Sequence, residues 1–289
     1  MTQAIAKEEK IQRKPGAFEK RIHEIDFVRG FLIALVLMDH LFCWLWQYNA
    51  SWAASAQAAG HDYGFYHTIS VIFEFYWRST AREVVRFFAL AGFSFVSGVS
   101  SAFSKNNWIR AGQMILFFGL IAVGSNILQA TLGPITGVTF SIDFNIIGVL
   151  AWSTLFYCFA MNKSWRSILI GALISFLIAS YFTPWLGEVF KKLVENGTLT
   201  KTTDVYIPIM FRPEGQADWL PLFPFMIFFF LGAFFSYFVY APTRQSIITR
   251  RGEWERPFCF MGRHSLIIYI THQAILIPFF LLLGLFLGK

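Results

Sequence analysis

Charged residues are scarce in this sequence. Asp, Glu, Lys and Arg make up only 14% of its 289 residues, whereas hydrophobic residues make up 56%. The mean hydropathy is +0.52. This composition excludes a disordered chain and an ordinary soluble domain, and it indicates an integral membrane protein that packs against lipid.

Cysteine is also rare. Cys43, Cys158 and Cys259 occur singly in or near apolar segments, and none has the Cys/His spacing of a zinc or cluster site. We therefore expect packing roles for the thiols, no metal site and no tightly bound cofactor. Residues 1–24 are polar and basic, and the apolar run that follows lacks a small-residue cleavage site, so we predict a cytoplasmic tail before a retained first span.

Seven apolar segments approach the ~20 residues needed to cross a bilayer. They cover about residues 25–47, 83–103, 108–130, 142–161, 165–183, 218–240 and 264–287. The sequence thus predicts an all-α polytopic bundle of about seven transmembrane helices, which forms a single domain over 25–289. Segments 48–81 and 184–217 are long outer connections. The first turns apolar and aromatic from Phe65 to Trp77, which predicts an interfacial helix, and the second contains a short amphipathic piece from Trp185 to Val194. We interpret these connections as candidate covers over an acceptor-binding site.

The distribution of Lys and Arg predicts the orientation. With the N-terminus in the cytoplasm, the inner segments hold fifteen of these residues and the outer segments seven, as the positive-inside rule requires. An odd number of spans then places the C-terminus outside the inner (cell) membrane. The net charge of +7 follows from this topology, so we expect a lipid bilayer and not nucleic acid as the partner.

Ionisable residues inside apolar segments are costly and are usually functional or paired. The first span holds Asp26, Arg29, Asp39 and His40. Eleven residues separate Arg29 from His40, so the two lie on one stripe, about 16 Å apart along a helix. A histidine there can act as a base or a nucleophile, and Asp39 is a candidate to orient it. Arg29 is open to two readings, a ligand contact or a structural pair with Asp26.

Other spans begin with charged residues. These are Arg82 and Arg86 in the second, Asp143 in the fourth, Asp218 in the sixth, and Arg263 and His264 in the last. Arginines at span ends often only reach for the interface, and aspartates there often only cap a helix. His272 lies eight residues beyond His264, at a depth comparable with that of His40. It is either a site residue or a hydrogen-bonded packing group.

Four blocks carry a family resemblance. They are Glu24-Ile-Asp26-Phe-Val-Arg29-Gly30 with Asp39-His40, Phe87 to Gly98 leading into Ser100 to Lys105, Pro221-Leu-Phe-Pro224 with Leu231-Gly232, and Gly262-Arg263-His264 through Thr271-His272-Gln273. Over about residues 22–285 the chain resembles bacterial relatives of the catalytic domain of heparan-alpha-glucosaminide N-acetyltransferase, in the wider clan of membrane acyltransferases.

The resemblance implies transfer of an acetyl or other acyl group from cytoplasmic acyl-CoA, a co-substrate, to a hydroxyl or amine of a sugar or glycan-type acceptor at the outer side. His40 corresponds to the family's intramembrane histidine, and we group Asp39 and His272 with it. We assign Arg29, Asp26, Arg263 and His264 to the donor. The acceptor is assigned to Arg82, Arg86, Asp143 and Asp218.

Two other functional classes fit parts of the sequence. Asp39, His40 and His272 have the chemistry of a proton relay in a coupled transporter, although the chain has no inverted repeat and no paired broken helices. The second alternative is a non-catalytic membrane sensor or partner subunit. An acyl-CoA-dependent transfer or thiol-release assay separates acyl transfer from both.

Overall fold

The computed structural model describes residues 22–104, 106–160, 164–198, 209–211, 216–240, 246–248 and 252–286. Within these ranges the chain is helical and has no strand. The helices are α1 (His23–Ala58), α2 (Gly64–Trp77), α3 (Thr80–Phe103), α4 (Asn107–Thr136), α5 (Ile146–Ala160), α6 (Trp165–Leu177), α7 (Thr183–Glu195), α8 (Leu222–Val239), α9 (Arg256–Arg263) and α10 (Ser265–Phe286). Almost all of the predicted basic tail, residues 1–24, lies outside the described residues.

The prediction of an all-α polytopic membrane protein is confirmed, but the count of about seven spans is not. Within the described chain, six helices are long and apolar enough to cross a bilayer: α1, α3, α4, the continuous Trp165–Glu195, α8 and α10. The predicted span 142–161 corresponds to α5, which has only 15 residues. At 1.5 Å per residue it is about 22 Å long, shorter than a ~30 Å hydrocarbon core.

Helix α2 forms within the first outer segment, where the sequence predicts an interfacial helix, and packs along α1. It runs antiparallel to the second half of α1, since Tyr66 contacts Trp52 (5.9 Å between ring centroids) near one end and Tyr76 contacts Phe42 (5.0 Å) near the other. Helix α1 has 36 residues and is about 54 Å long, so it offers an aromatic surface well beyond one bilayer core. Aromatic contacts along that surface hold α2 antiparallel to α1.

Two glycines set the tight crossing of α3 and α8. A Cβ at Gly98 would collide with the backbone carbonyl of Phe229, and one at Gly232 would collide with the carbonyl of Phe95. The backbones therefore meet directly, as small residues allow between membrane helices. Fully buried Phe229 lies in the main hydrophobic core beside this crossing.

The second predicted outer segment is partly described. Its amphipathic piece forms α7, which continues α6 through a π-helical turn at Ile178–Phe182. Most of the remaining segment, 199–208 and 212–215, lies outside the described residues. Residues 216–220 pack beside the loop before α5, where Ala217 N donates to Ser141 O (2.8 Å) and Leu220 N donates to Phe144 O (3.0 Å).

Candidate active site

A cavity of about 1040 Å³ lies within the bundle and is lined by α1, α3, α4 and α10 together with the segment before α8. This volume is at the upper end of the range for small-molecule pockets. Six of the eleven predicted site residues line it: Asp39, His40, Arg82, Arg86, Asp218 and His272. Asp39 and His272 are 233 positions apart in the sequence. They line the same cavity because α1 and α10 run parallel and side by side.

The two histidine rings form the centre of this group. The ring centroids of His40 and His272 are 4.8 Å apart, with an edge-to-face angle of 71°. His40 Nδ1 donates to the carbonyl of Val36 (2.8 Å), one turn earlier in α1, and His272 Nδ1 donates to the carbonyl of Tyr269. A carbonyl oxygen only accepts hydrogen bonds, so Nδ1 carries the proton in both rings.

This tautomer leaves a lone pair on Nε2 in each neutral ring. Within the described residues, the buried Nε2 of His272 has no hydrogen-bond partner. An unsatisfied buried acceptor costs about 1–3 kcal/mol and is uncommon in native proteins. In the neutral rings both Nε2 atoms are therefore hydrogen-bond acceptors, and the Nδ1 bonds to the helix backbones fix the orientation of the rings.

Asp39 does not orient His40 in the structure. Its carboxylate accepts two hydrogen bonds from Arg82, at 2.7 Å from Nε and 2.6 Å from Nη2, and a third from the Tyr76 hydroxyl at 3.0 Å. The Arg82 guanidinium also lies 3.5 Å from the ring centroid of Trp77. Burial and the adjacent Asp39 raise the pKa of Tyr76 to about 12, so its hydroxyl keeps its proton and donates. The carboxylate of Asp39 is thus bound by Arg82 and Tyr76.

A second, looser ion pair lines the same wall. Arg86 Nη2 lies 3.1 Å from Asp218 Oδ1 and also donates to the carbonyl of Trp219 at 3.3 Å. A third of the Arg86 side chain is exposed, against a tenth for Arg82. Asp218 does not cap α8, whose N-cap is Pro221. Arg86 is therefore more open to a ligand than Arg82.

Asp143, the seventh predicted site residue, is absent from the lining of this cavity. Its carboxylate accepts from Gln216 Nε2 (2.7 Å) and from Asn126 Nδ2 (3.2 Å). Its backbone N–H donates to Gln216 Oε1 (2.7 Å). These bonds join the loop before α5 to the segment before α8, so Asp143 positions cavity walls without contacting the cavity.

The remaining four predicted residues, which we had assigned to the donor, lie outside the cavity at the end of the bundle where α1 begins. Asp26 Oδ1 is 3.9 Å from Arg29 Nη1, and Asp26 Oδ2 is 3.5 Å from Arg263 Nε. Arg29 also donates to the Ser100 hydroxyl. The pairing of Arg29 with Asp26, one of the two readings from sequence, is thus present. His264 is exposed and packs against Phe260 (4.7 Å between ring centroids).

Comparison with known proteins adds one finding. The sequence pattern of the family described as "Heparan-alpha-glucosaminide N-acetyltransferase, catalytic" matches residues 21–274. The chain belongs to this family. Its members form a family of membrane acetyltransferases, in agreement with the resemblance found in the sequence. No curated protein and no solved structure matches the chain.

For this acetyltransferase-family chain, sequence reasoning missed several cavity residues. Tyr76 and Trp77 close around the Asp39–Arg82 pair, and Trp44 Nε1 donates to Gln273 Oε1 (2.8 Å) beside the histidines. Tryptophan and tyrosine are so frequent here that no local signal distinguished these from lipid-facing rings. Among the described residues, no group of three or more His, Cys, Asp or Glu could hold a metal ion.

Proposed function

We propose that this protein transfers an acyl group, in the simplest case acetyl, from acyl-CoA to a hydroxyl or amine of a sugar-type acceptor, and that the reaction takes place beside His40 and His272. The observation that carries the proposal is the histidine pair itself. Two imidazoles with protonated Nδ1 atoms meet in a cavity large enough for ligands, in a chain of a membrane acetyltransferase family.

Direct transfer needs one proton acceptor. His40 Nε2 takes the proton of the acceptor hydroxyl or amine while the acceptor oxygen or nitrogen forms a bond to the thioester carbonyl carbon. The carbon–sulfur bond then breaks, and His40 returns the proton to the departing thiolate. The lone pair on Nε2 of His272 can stabilise the imidazolium that forms on the neighbouring ring.

A two-step route uses the same residues. Here His40 Nε2 attacks the thioester carbon, the carbon–sulfur bond breaks, and the departing CoA thiolate takes a proton from water. The acceptor oxygen or nitrogen then bonds to the acyl carbon while the bond from that carbon to Nε2 breaks, and the acceptor's proton passes to water. The routes differ before the acceptor binds. Only the two-step route releases one equivalent of thiol per protein when acyl-CoA is supplied alone.

The ion pairs suggest which residues contact the acceptor and which contact the donor. Arg86 and Asp218 offer a cation and a carboxylate to acceptor hydroxyls at the cavity wall, while the rigid Arg82–Asp39 pair shapes that wall. The donor's phosphates are assigned to Arg29, which lies about 16 Å along the α1 axis from His40, and to Arg263, which shares the carboxylate of Asp26 with Arg29. With the N-terminus in the cytoplasm, this end of the bundle is the side at which acyl-CoA is present.

The proton-relay alternative is less well supported. A relay through Asp39 requires a carboxylate that gains and loses a proton, but Asp39 accepts three hydrogen bonds from Arg82 and Tyr76. The guanidinium engages both carboxylate oxygens, which ties Asp39 to Arg82 and not to His40. Asp39 therefore has the environment of a structural anion.

Thiol release by purified protein tests the proposal. We expect acetyl-CoA to yield free CoA thiol at a rate that rises when an amino sugar or a hydroxyl-bearing sugar is added, with acetylated acceptor detected by mass spectrometry. The matched control is the same protein with CoA in place of acetyl-CoA. Release that never exceeds spontaneous hydrolysis, with a panel of amine and hydroxyl acceptors, would count against acyl transfer.

A further inference from the structure

Arg110 is a charged residue that the proposed chemistry does not use. It lies in the first turns of α4, where its Nη1 donates to Ser101 Oγ (3.2 Å) and its Nη2 to Ser97 Oγ (3.0 Å). Both hydroxyls belong to the last turns of α3, and Ser97 and Ser101 are buried. Among the described residues, Arg110 has no carboxylate partner.

The environment of Arg110 is already positive. Arg29 donates to the hydroxyl of Ser100, the residue before Ser101, so the two arginines bond neighbouring hydroxyls of α3. Arg29 in turn belongs to the group around Asp26 and Arg263. We call these residues the inner basic cluster: Asp26, Arg29, Arg110 and Arg263 with Ser97, Ser100 and Ser101. A partly buried arginine next to another arginine, bonded only to neutral hydroxyls, is costly unless an anion balances it.

A structural explanation covers only part of this arrangement. A cation at the C-terminus of α3 is favoured by the helix dipole and can satisfy its last carbonyls. Arg110, however, donates to serine hydroxyls and not to those carbonyls, and Asn107 Nδ2 instead donates to the carbonyl of Ser101 (2.9 Å). A guanidinium has five N–H donors. The two serine hydroxyls fix the plane of the Arg110 guanidinium and leave some of these donors without a hydroxyl partner.

We propose that the inner basic cluster is a binding site for a phosphate-bearing anion and that Arg110 is one of its ligands. Planar guanidinium groups suit phosphate oxygens, because they donate two parallel hydrogen bonds. The cluster is accessible, since a third of the Arg263 side chain is exposed. If the anion is the nucleotide end of acyl-CoA, the inference rests on the proposed function and extends its donor site from α1 and α9 to α3 and α4.

Two sources can supply such a phosphate, namely the donor and an anionic lipid headgroup. The test uses the full chain in phosphatidylcholine nanodiscs, and measures binding of CoA, 3′,5′-ADP and inorganic pyrophosphate by calorimetry. Arg110→Ala should raise the dissociation constants at least about tenfold, the scale for losing a charge-assisted hydrogen bond. The control is Arg166→Ala, an exposed arginine at the start of α6, which should change them less than twofold.

The outcomes separate the sources and the two proposals. Arg110-dependent CoA binding supports a donor site. Thermal stabilisation by phosphatidylglycerol nanodiscs that depends on Arg110, without competition from CoA, supports the anion site and assigns it to lipid. If CoA binds equally to wild type and Arg110→Ala, phosphatidylglycerol stabilises both proteins alike and acyl transfer is intact, the anion site is wrong and the proposed function stands.

Two further measurements keep the inference testable. If Arg110→Ala does not fold, Arg110→Lys tests the role of charge at the α3 terminus, because a lysine retains the charge but not the planar pair of donors. Folded Arg110→Lys protein with wild-type pyrophosphate affinity would overturn the guanidinium assignment. In wild type, pyrophosphate should raise the melting temperature more than sodium chloride of equal ionic strength, and an equal effect would overturn the site.

Discussion

The ion pair of Asp39 and Arg82 gives the sharpest prediction on stability. Its side chains are 17% and 10% exposed, and the pair is doubly hydrogen bonded at 2.6–2.7 Å. Arg82→Ala removes both bonds and the stacking on Trp77, and leaves the carboxylate of Asp39 with the Tyr76 hydroxyl alone. Breaking a buried pair from one side costs about 3–5 kcal/mol, because the partner's charge stays buried.

The double variant is the informative comparison. Asp39→Leu with Arg82→Met removes both charges and keeps apolar volume, and such replacements are often neutral or better. We therefore expect the double variant to be more stable than Arg82→Ala by about 2 kcal/mol or more. The loss of the Arg82–Trp77 contact, about 0.5–2 kcal/mol, keeps the double variant below wild type.

Arg78 and Glu74 supply a matched control. Their contact is also short, at 2.8 Å, but the side chains are 71% and 37% exposed, so Arg78→Ala should cost less than about 1 kcal/mol. The assay is equilibrium unfolding in mixed micelles, with the SDS fraction as denaturant and tryptophan fluorescence as signal. Equal destabilisation by Arg82→Ala and Arg78→Ala would refute the reasoning from burial.

Three further predictions concern the donor end, the helix crossing and the topology. Arg29→Ala should raise the apparent KM for acyl-CoA more than it lowers kcat, because a phosphate contact binds ground and transition states alike; failure of this variant to fold would favour a purely structural pair with Asp26. Gly98→Val should reduce the yield of folded protein far more than Gly119→Val, since a Cβ at Gly98 meets the backbone of Phe229 and one at Gly119 meets nothing within 4 Å; similar monodisperse yields would contradict the tight crossing. Cysteines placed at exposed His61 and Glu253 should react with an impermeant thiol reagent from outside and inside the cell, respectively, and the reverse pattern would overturn the predicted orientation.

The helices could be predicted from sequence because the bilayer imposes a single rule, a long apolar run with few charges. The ends of α3 and α10 fall within three residues of the predicted spans. The second half of α1 is less apolar, so hydropathy placed its end at residue 47 and the structure continues it to Ala58. The antiparallel packing of α2 depends on side-chain contacts between helices, which hydropathy does not report.

The candidate site, like the fold, could be predicted from the sequence only in part. The cost of placing a histidine in lipid was enough to select His40 and His272, and the structure brings them together. The partner of Asp39 was harder to predict. His40 is its neighbour in the sequence, but its partner in the structure is Arg82, which lies 43 residues away. Arg110 is one of the inner basic residues whose distribution predicts the topology. Nothing in its sequence context shows that two hydroxyls on the preceding helix fix its guanidinium.

The central claim is that His40 takes part in acyl transfer, and the most direct test compares His40→Ala with His61→Ala. His61 is exposed in the turn after α1 and serves as the matched control. On protein checked for monodispersity, we predict that His40→Ala lowers the acetyl-transfer rate by at least about 10², the scale for a general base, whereas His61→Ala leaves it unchanged. A near-normal rate in folded His40→Ala protein would contradict the account.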